Sequence, residues 1–352
     1  MVKKILYISN TRLDYSLNSV LIKGLRENGV DVVDFKINKG IPGLVKAGVF
    51  YKDNSKNVDL VIVGYNSQQL VPWLKLVSRN KVVFNAVLSE YERMIISRQM
   101  ANPFSLKGVY YWFKDFVAVH CADLILVESD KQANFFNRIF KVSKQKLYRN
   151  WIGADEGRFY YDETIPKAQV FTVLFRGALM PEAGVEHVIK AAKLLEDKNI
   201  NFILLIGGLL MEETEKLIKD LEPRNLKYMT EYFSYEDLRK IMQSCHISLG
   251  QLSDHVRLTR TLPHKLYETL SMKLPYLTAN NAGALELLTP DDTCLTCSPA
   301  DSNSLAEKIL WIRDNYHVAE KVAESGYKLF NEKLRSKALG RGLLDRINVL
   351  FS

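Results

Sequence analysis

Between Arg260 and Thr278 the chain reads RTLPHKLYETLSMKLPYLT, and in it Pro263, Lys265 and Glu268 have the types and spacing of a grip on phosphate and ribose. Pro263 can open a helix, which puts Lys265 in its first turn and Glu268 one turn later on the same face. A first-turn lysine can meet an anion beside unpaired backbone N–H groups, and a carboxylate one turn on can accept both hydroxyls of a ribose. The same spacing also makes an ordinary surface ion pair, i to i+3, so spacing alone leaves both readings open. A second pair, Cys294 and Cys297, has C-x-x-C spacing but lies in an apparent strand without two further metal ligands nearby. It reads as two buried structural thiols.

The elements that must position these residues alternate between short apolar runs and amphipathic helical patterns, the signature of parallel sheets built from βαβ units. Expected strands lie at 4–9, 32–37, 58–65, 81–86 and 122–129, and Gly29 reads as the stop of the first helix. The pattern restarts at 169–175, 200–207, 226–229, 246–250 and 274–278. In the second series, Val185, Val188, Ile189, Ala192 and Leu195 fall on one helical face, and Ser234 followed by Asp237 reads as an N-cap. The aperiodic stretch 151–168 separates the two series, which gives an N-terminal domain over 1–160 and a second over 161–335. Residues 336–352 are expected as a C-terminal helix packing back on the first domain. Doubly wound sheets bind ligands beyond the carboxyl ends of their strands, so two of them facing across a cleft would suit the joining of two substrates.

A chain of 352 residues exceeds what one core usually serves, and 47% hydrophobic with 25% charged residues fits a folded, non-membrane-spanning protein. The apolar stretch beginning at Ile5 is too short for a signal-peptide core, and no run approaches a membrane span, so a cytoplasmic location is expected, with any membrane contact peripheral. The net charge of +8 is uneven: residues 1–150 hold 23 basic and 12 acidic side chains, +11, leaving 25 and 28, −3, for the remainder. The basic half could meet an anionic membrane surface or lipid pyrophosphate, or be simply solvated. The stretch 108–117, GVYYWFKDFV, reads either as a buried helix or as one that enters a lipid interface. No nucleic-acid-binding motif is present, and no nucleic-acid partner is expected.

The segment 260–278 resembles the nucleotide-binding motif of family 4 glycosyltransferases, P-x-K-x-[FY]-E-x-[LM]-x-x-x-x-P, followed by G-x-x-E at Gly283 to Glu286. FRGALMPEAGVEHVIKAAKLL resembles the segment that opens the donor domain of that family, and CADLILVESDKQANFF with NWIGADEGRFYY resembles the end of its acceptor domain. The resemblance spans nearly the whole chain. It implies an α/β chain of the GT-B type, two Rossmann-like domains, moving a hexose-type sugar from a nucleotide-sugar donor to a glycolipid or surface-polysaccharide precursor with retention. The nucleotide sugar is then a substrate, and no cofactor is expected.

Donor binding is expected at Arg176, Gly177, Arg257, Lys265, Glu268, Tyr232 and Glu286, the arginines making good cations that the family pattern would place elsewhere. Lys265 with Arg260 or Arg257 would stabilise the departing diphosphate, and Glu268 would hold the ribose. Tyr232 and Phe233 would lie near the base, or else in the core. No D-x-D pair is present, and no metal is expected. Two departures stand out: the family's loop arginine and lysine are replaced by Ala178 and Ala183, and Arg260 stands where an E-x7-E pair would place its first glutamate. On the acceptor side, Asn85 occupies the position of a frequent Asp or His; it can orient a hydroxyl but cannot take its proton. Glu90, Glu92 and His120 are alternative bases, and a retaining enzyme can pass the proton to the departing phosphate. The alanine replacements also support a second reading, a GT-B-fold protein that binds a sugar nucleotide or glycan without turnover. A third is a sugar-nucleotide epimerase.

Overall fold

The computed structural model describes residues 2–351. It separates into two compact units, one running to Asp155 and resuming at Lys333, the other spanning Glu156–Glu332. The first unit therefore ends five residues before the boundary expected at 160, and it regains the chain three residues before 336.

In the first unit the order is β1 (Lys4–Ser9), α1 (Ser16–Glu27), β2 (Asp31–Lys36), α2 (Ile41–Asn54), β3 (Leu60–Val63), α3 (Leu70–Val77), β4 (Lys81–Val87), α4 (Leu106–Cys121), β5 (Leu124–Val127), α5 (Asp130–Phe140) and β6 (Leu147–Arg149). All pairs are parallel, in the order β2-β1-β3-β4-β5-β6. Both faces are covered, which is why the strands are continuous apolar runs rather than alternating ones. In β1, Leu6 and Ile8 join the core under α2 to α5, while Ile5 and Tyr7 join the core on the opposite face, against α1. The edge strand β6 is absent from the expected set, because three residues beside a lysine-rich turn carry no period.

The second unit runs β7 (Phe171–Leu179), α6 (Val185–Leu194), β8 (Ile200–Gly208), α7 (Met211–Leu221), β9 (Leu226–Met229), α8 (Tyr235–Ser244), β10 (Ile247–Leu249), α9 (His264–Ser271), β11 (Tyr276–Ala279), β12 (Leu295–Cys297), α10 (Ser302–Asp314) and α11 (Tyr316–Leu329). Its sheet is also six-stranded and parallel, ordered β12-β11-β10-β7-β8-β9. Ser234 caps α8 as its spacing predicts, its Oγ accepting from the Asp237 N–H at 3.1 Å. Cys294 and Cys297 are free, buried thiols in and beside β12.

The last helix, α12 (Ser336–Phe351), lies in the first unit and crosses α1 where Gly24 meets Gly340. A Cβ on Gly340 would stand 2.3 Å from the carbonyl carbon of Gly24. The two backbones thus touch, and Leu343 and Ile347 are carried into the core that Leu21 and Leu25 line.

Candidate active site

In each sheet the strand order reverses once, between β1 and β3 and between β7 and β10, and at such points the helices leave to opposite faces and open a crevice for ligands. The most chemically loaded groups of the second unit gather at its reversal. Phe175 and Gly177 share one face of β7 and Arg176 takes the other, because side chains alternate along a strand. From across the crevice, the first two turns of α9 supply His264, Lys265 and Glu268.

Lys265 lies almost wholly inside, 6% exposed. Its Nζ donates to the Gly250 carbonyl at 2.9 Å and stands 3.9 Å from the Phe175 ring centroid. Gly177, at φ +148°, leaves the approach open: a Cβ there would sit 3.8 Å from Lys265 Nζ. Among the described residues no carboxylate pairs with this ammonium. Burial, and then the neighbouring Arg176, hold its pKa well below the ordinary lysine value. Arg176 forms an ion pair with Glu268, and burial brings its pKa down to about 10. The His264 imidazole is pushed down to about 4, by burial first and then by Arg176, and so is neutral at physiological pH. Two basic side chains thus lie in a desolvated cluster with a single carboxylate, which Arg176 takes, an arrangement that favours the entry of an anion beside Lys265.

The loop between β7 and α6 is fixed beside this pocket. Gly184 is left-handed at φ +68°, and a Cβ on it would lie 2.5 Å from the Ser253 nitrogen. Leu252 N–H donates to the Ala183 carbonyl at 3.2 Å, and Ser253 Oγ donates to the Glu182 carbonyl at 3.0 Å. Ala183 is buried against this loop, whereas Ala178 is exposed.

The structure sorts the remaining expected site residues. Arg257 is not open to a ligand as expected: its guanidinium is paired with buried Glu182, whose part the sequence did not reveal. Arg260 is buried and folds back on its own turn, Nη1 donating to the Val256 carbonyl at 3.3 Å. Tyr232 is fully exposed, so the core reading of this ring is corrected: it sits in the loop before α8 with nothing to pack on, while Phe233 is the one that joins the core. Glu286 is half-buried in a 3-10 turn whose Gly283 packs on the carbonyls of Leu258 and Thr261.

Asn85 belongs to the first unit, at the end of β4. Its Nδ2 donates to the Leu17 carbonyl at 2.8 Å and to the Tyr7 hydroxyl at 3.2 Å, so the amide ties β4 to β1 and α1. Around it, Ser9, Thr11, Asn18 and Ser67 form a polar network at the reversal between β1 and β3. Val87 follows at φ +62°, where the pairing of β4 with β5 slips by one residue. A left-handed β-branched residue is strained, and such strain clusters at ligand sites. Glu90 is bound by Lys114 and by Arg93, the latter at 3.4 Å. Glu92 is buried and accepts from Gln132 at 2.5 Å. His120 lies near the C-terminus of α4, at the opposite end of the sheet from the strand carboxyl ends. Each alternative base is thereby engaged or distant from the crevice. Asp115, buried between Tyr91 N–H and Gln68, is raised by that burial to about 7.

Two parallel Rossmann-like units with this topology are the GT-B fold. Over residues 162–329, a little under half of its length, the chain matches the family model for Glycosyl transferases group 1, and its fold is of the GT-B type. Its structure is similar to that of HepE from Anabaena, solved with UDP and glucose, at a TM-score of 0.73, 15% identity and 99% and 100% coverage of the two chains. It is also similar to sucrose-phosphate synthase from Thermosynechococcus elongatus, at a TM-score of 0.77, 14% identity and 99% coverage of each chain. In sequence it is 25% identical over 170 residues to alpha-D-kanosaminyltransferase of Streptomyces kanamyceticus, a match covering 48% of this chain and only 43% of that protein.

Proposed function

We propose that the chain transfers a hexose-type sugar from a nucleoside-diphosphate sugar to a glycan or lipid-linked acceptor at an anionic membrane surface, with retention of configuration and without a metal ion. The observation that carries this reading is the Lys265, Arg176 and Glu268 cluster at the β7–β10 reversal. As the bond from the anomeric carbon to the phosphate oxygen breaks, its electron pair goes to the diphosphate, and Lys265 and Arg176 offset that charge. The acceptor oxygen forms the new bond, and its proton goes to the departing phosphate, which accords with the engaged state of Glu90 and Glu92. Glu268 holds the ribose once Arg176 turns to the diphosphate, which would make good the absence of cations at Ala178 and Ala183. That HepE was solved with UDP and glucose supports a uridine nucleotide as the first donor to try.

The test is release of nucleoside diphosphate from a panel of nucleotide sugars, with and without glycan and lipid-linked acceptors. Release that depends on acceptor and disappears in Lys265→Met supports transfer. Binding without release under all these conditions favours the second reading, a non-catalytic sugar-nucleotide binder, which Ala178 and Ala183 motivate.

A further inference from the structure

Helices α2, α3 and α4 lie side by side on one face of the first unit's sheet. Their inward sides supply its core, with Ala47 from α2, Leu74 from α3 and Ala118 and Val119 from α4. Their outward sides are also apolar. On α4, Leu106, Val109, Tyr110 and Phe113 recur at the three- and four-residue spacing of one helical stripe, each more than half exposed. On α2, Ile41, Val45 and Val49 recur every four residues, 77%, 52% and 54% exposed.

A helix apolar on both faces is normally buried on both. Here the inward face of α4 carries Trp112, stacked on Phe116 with centroids 4.9 Å apart, so the outer aromatics are surplus to the core. Among them stand Lys39, Lys46, Lys52 and Lys107, all exposed and none in an ion pair among the described residues. On α2 and α4 the acidic side chains are exposed Asp53 and buried Asp115, so the outer face is net positive. On α2 and α4 the most exposed apolar groups, Ile41 and Leu106, begin their helices and so lie toward the strand carboxyl ends, the edge at which doubly wound sheets take ligands, whereas Leu76, 78% exposed, stands at the far end of α3.

We infer that this face docks the protein on an anionic lipid bilayer, the apolar stripes of α2 and α4 entering the headgroup boundary and the four lysines meeting acidic headgroups. Large exposed apolar surface rimmed by unpaired lysine is what such an interface requires, and the local charge selects a bilayer over a second copy of the same basic face. The inference deepens the membrane part of the proposal above and is independent of the donor site.

The experiment is co-sedimentation of the full chain with phosphatidylcholine vesicles, with and without phosphatidylglycerol. The wild type is expected to bind only the anionic vesicles. Lys46→Glu with Lys107→Glu should lower the partition coefficient by about tenfold or more. Leu106→Ser with Tyr110→Ser and Phe113→Ser should do the same, with the melting temperature of each variant unchanged because these side chains are exposed. No binding to anionic vesicles, or equal binding to both kinds, overturns the inference. So does concentration-dependent self-association that these variants abolish, which would make a second copy the occupant. Nucleotide binding to the same preparation, measured separately, shows whether the donor reading stands regardless of the outcome.

Discussion

The guanidinium of Arg176, in the second half of β7, forms an ion pair with the carboxylate of Glu268, one turn into α9. Two residues 92 positions apart are thereby joined, and in the proposed donor site each must release the other for a nucleotide to enter. Glu268→Gln removes the charge while keeping the shape. Nucleoside diphosphate affinity should then fall about tenfold to a hundredfold, the range of a lost hydrogen bond to a charged group. Inorganic pyrophosphate, which has no ribose and benefits from a freed Arg176, should bind unchanged or more tightly. Calorimetric titration of both ligands checks this, and equal weakening of the two would place Glu268 elsewhere than on the ribose.

Lys265 should make the free protein less stable than it could be. Its folded pKa lies below the unfolded one, so the unfolded chain binds more protons and stability rises with pH through the alkaline range. Lys265→Met should remove that slope, raise the melting temperature near neutral pH by about 2–4 °C, and abolish nucleotide binding. A variant that loses stability at neutral pH would contradict the description of the site.

Asp115 should act with the opposite sign. Its folded pKa, about 7, exceeds the unfolded value, so its contribution is fully present below the unfolded pKa and is lost as pH rises through 7. Urea midpoints across that window should fall with pH in the wild type and fall less in Asp115→Asn. Parallel profiles for the two proteins would show that Asp115 ionises normally.

Gly340→Ala tests the seat of α12. In an open helix this change stabilises by up to about 1 kcal/mol, but here the new methyl would press on the Gly24 backbone. The expected outcome is a loss of about 1–3 kcal/mol, the usual cost of overpacking, read from urea unfolding.

Much of this was legible in the sequence. Apolar runs separated by helical periods revealed ten of the twelve strands in the sheet orders, the C-x-x-C strand β12 was glimpsed from its cysteines, and only the edge strand β6 escaped for want of pattern. The spacing of Lys265 and Glu268 foretold a shared helical face, but not that Glu268 reaches Arg176, a partner chosen by how β7 and α9 meet. Arg257 looked available because nothing in a linear reading ties it to Glu182, 75 residues earlier. Tyr232 and Phe233 are indistinguishable by type; only the turn before α8 decides which ring goes inward. Asn85 falls near the end of β4, a place the strand pattern shows, yet its bonds to Tyr7 and Leu17 are long-range and invisible without the sheet.

The most direct test of the central claim is isothermal titration of UDP, GDP, ADP, TDP and CMP into the wild type, Lys265→Met and Glu268→Gln. The expected result is that one nucleoside diphosphate binds the wild type, that Lys265→Met abolishes this binding, and that Glu268→Gln weakens it without loss of fold. Absence of binding by all five, or binding that neither substitution alters, would contradict a donor site at the β7–β10 reversal.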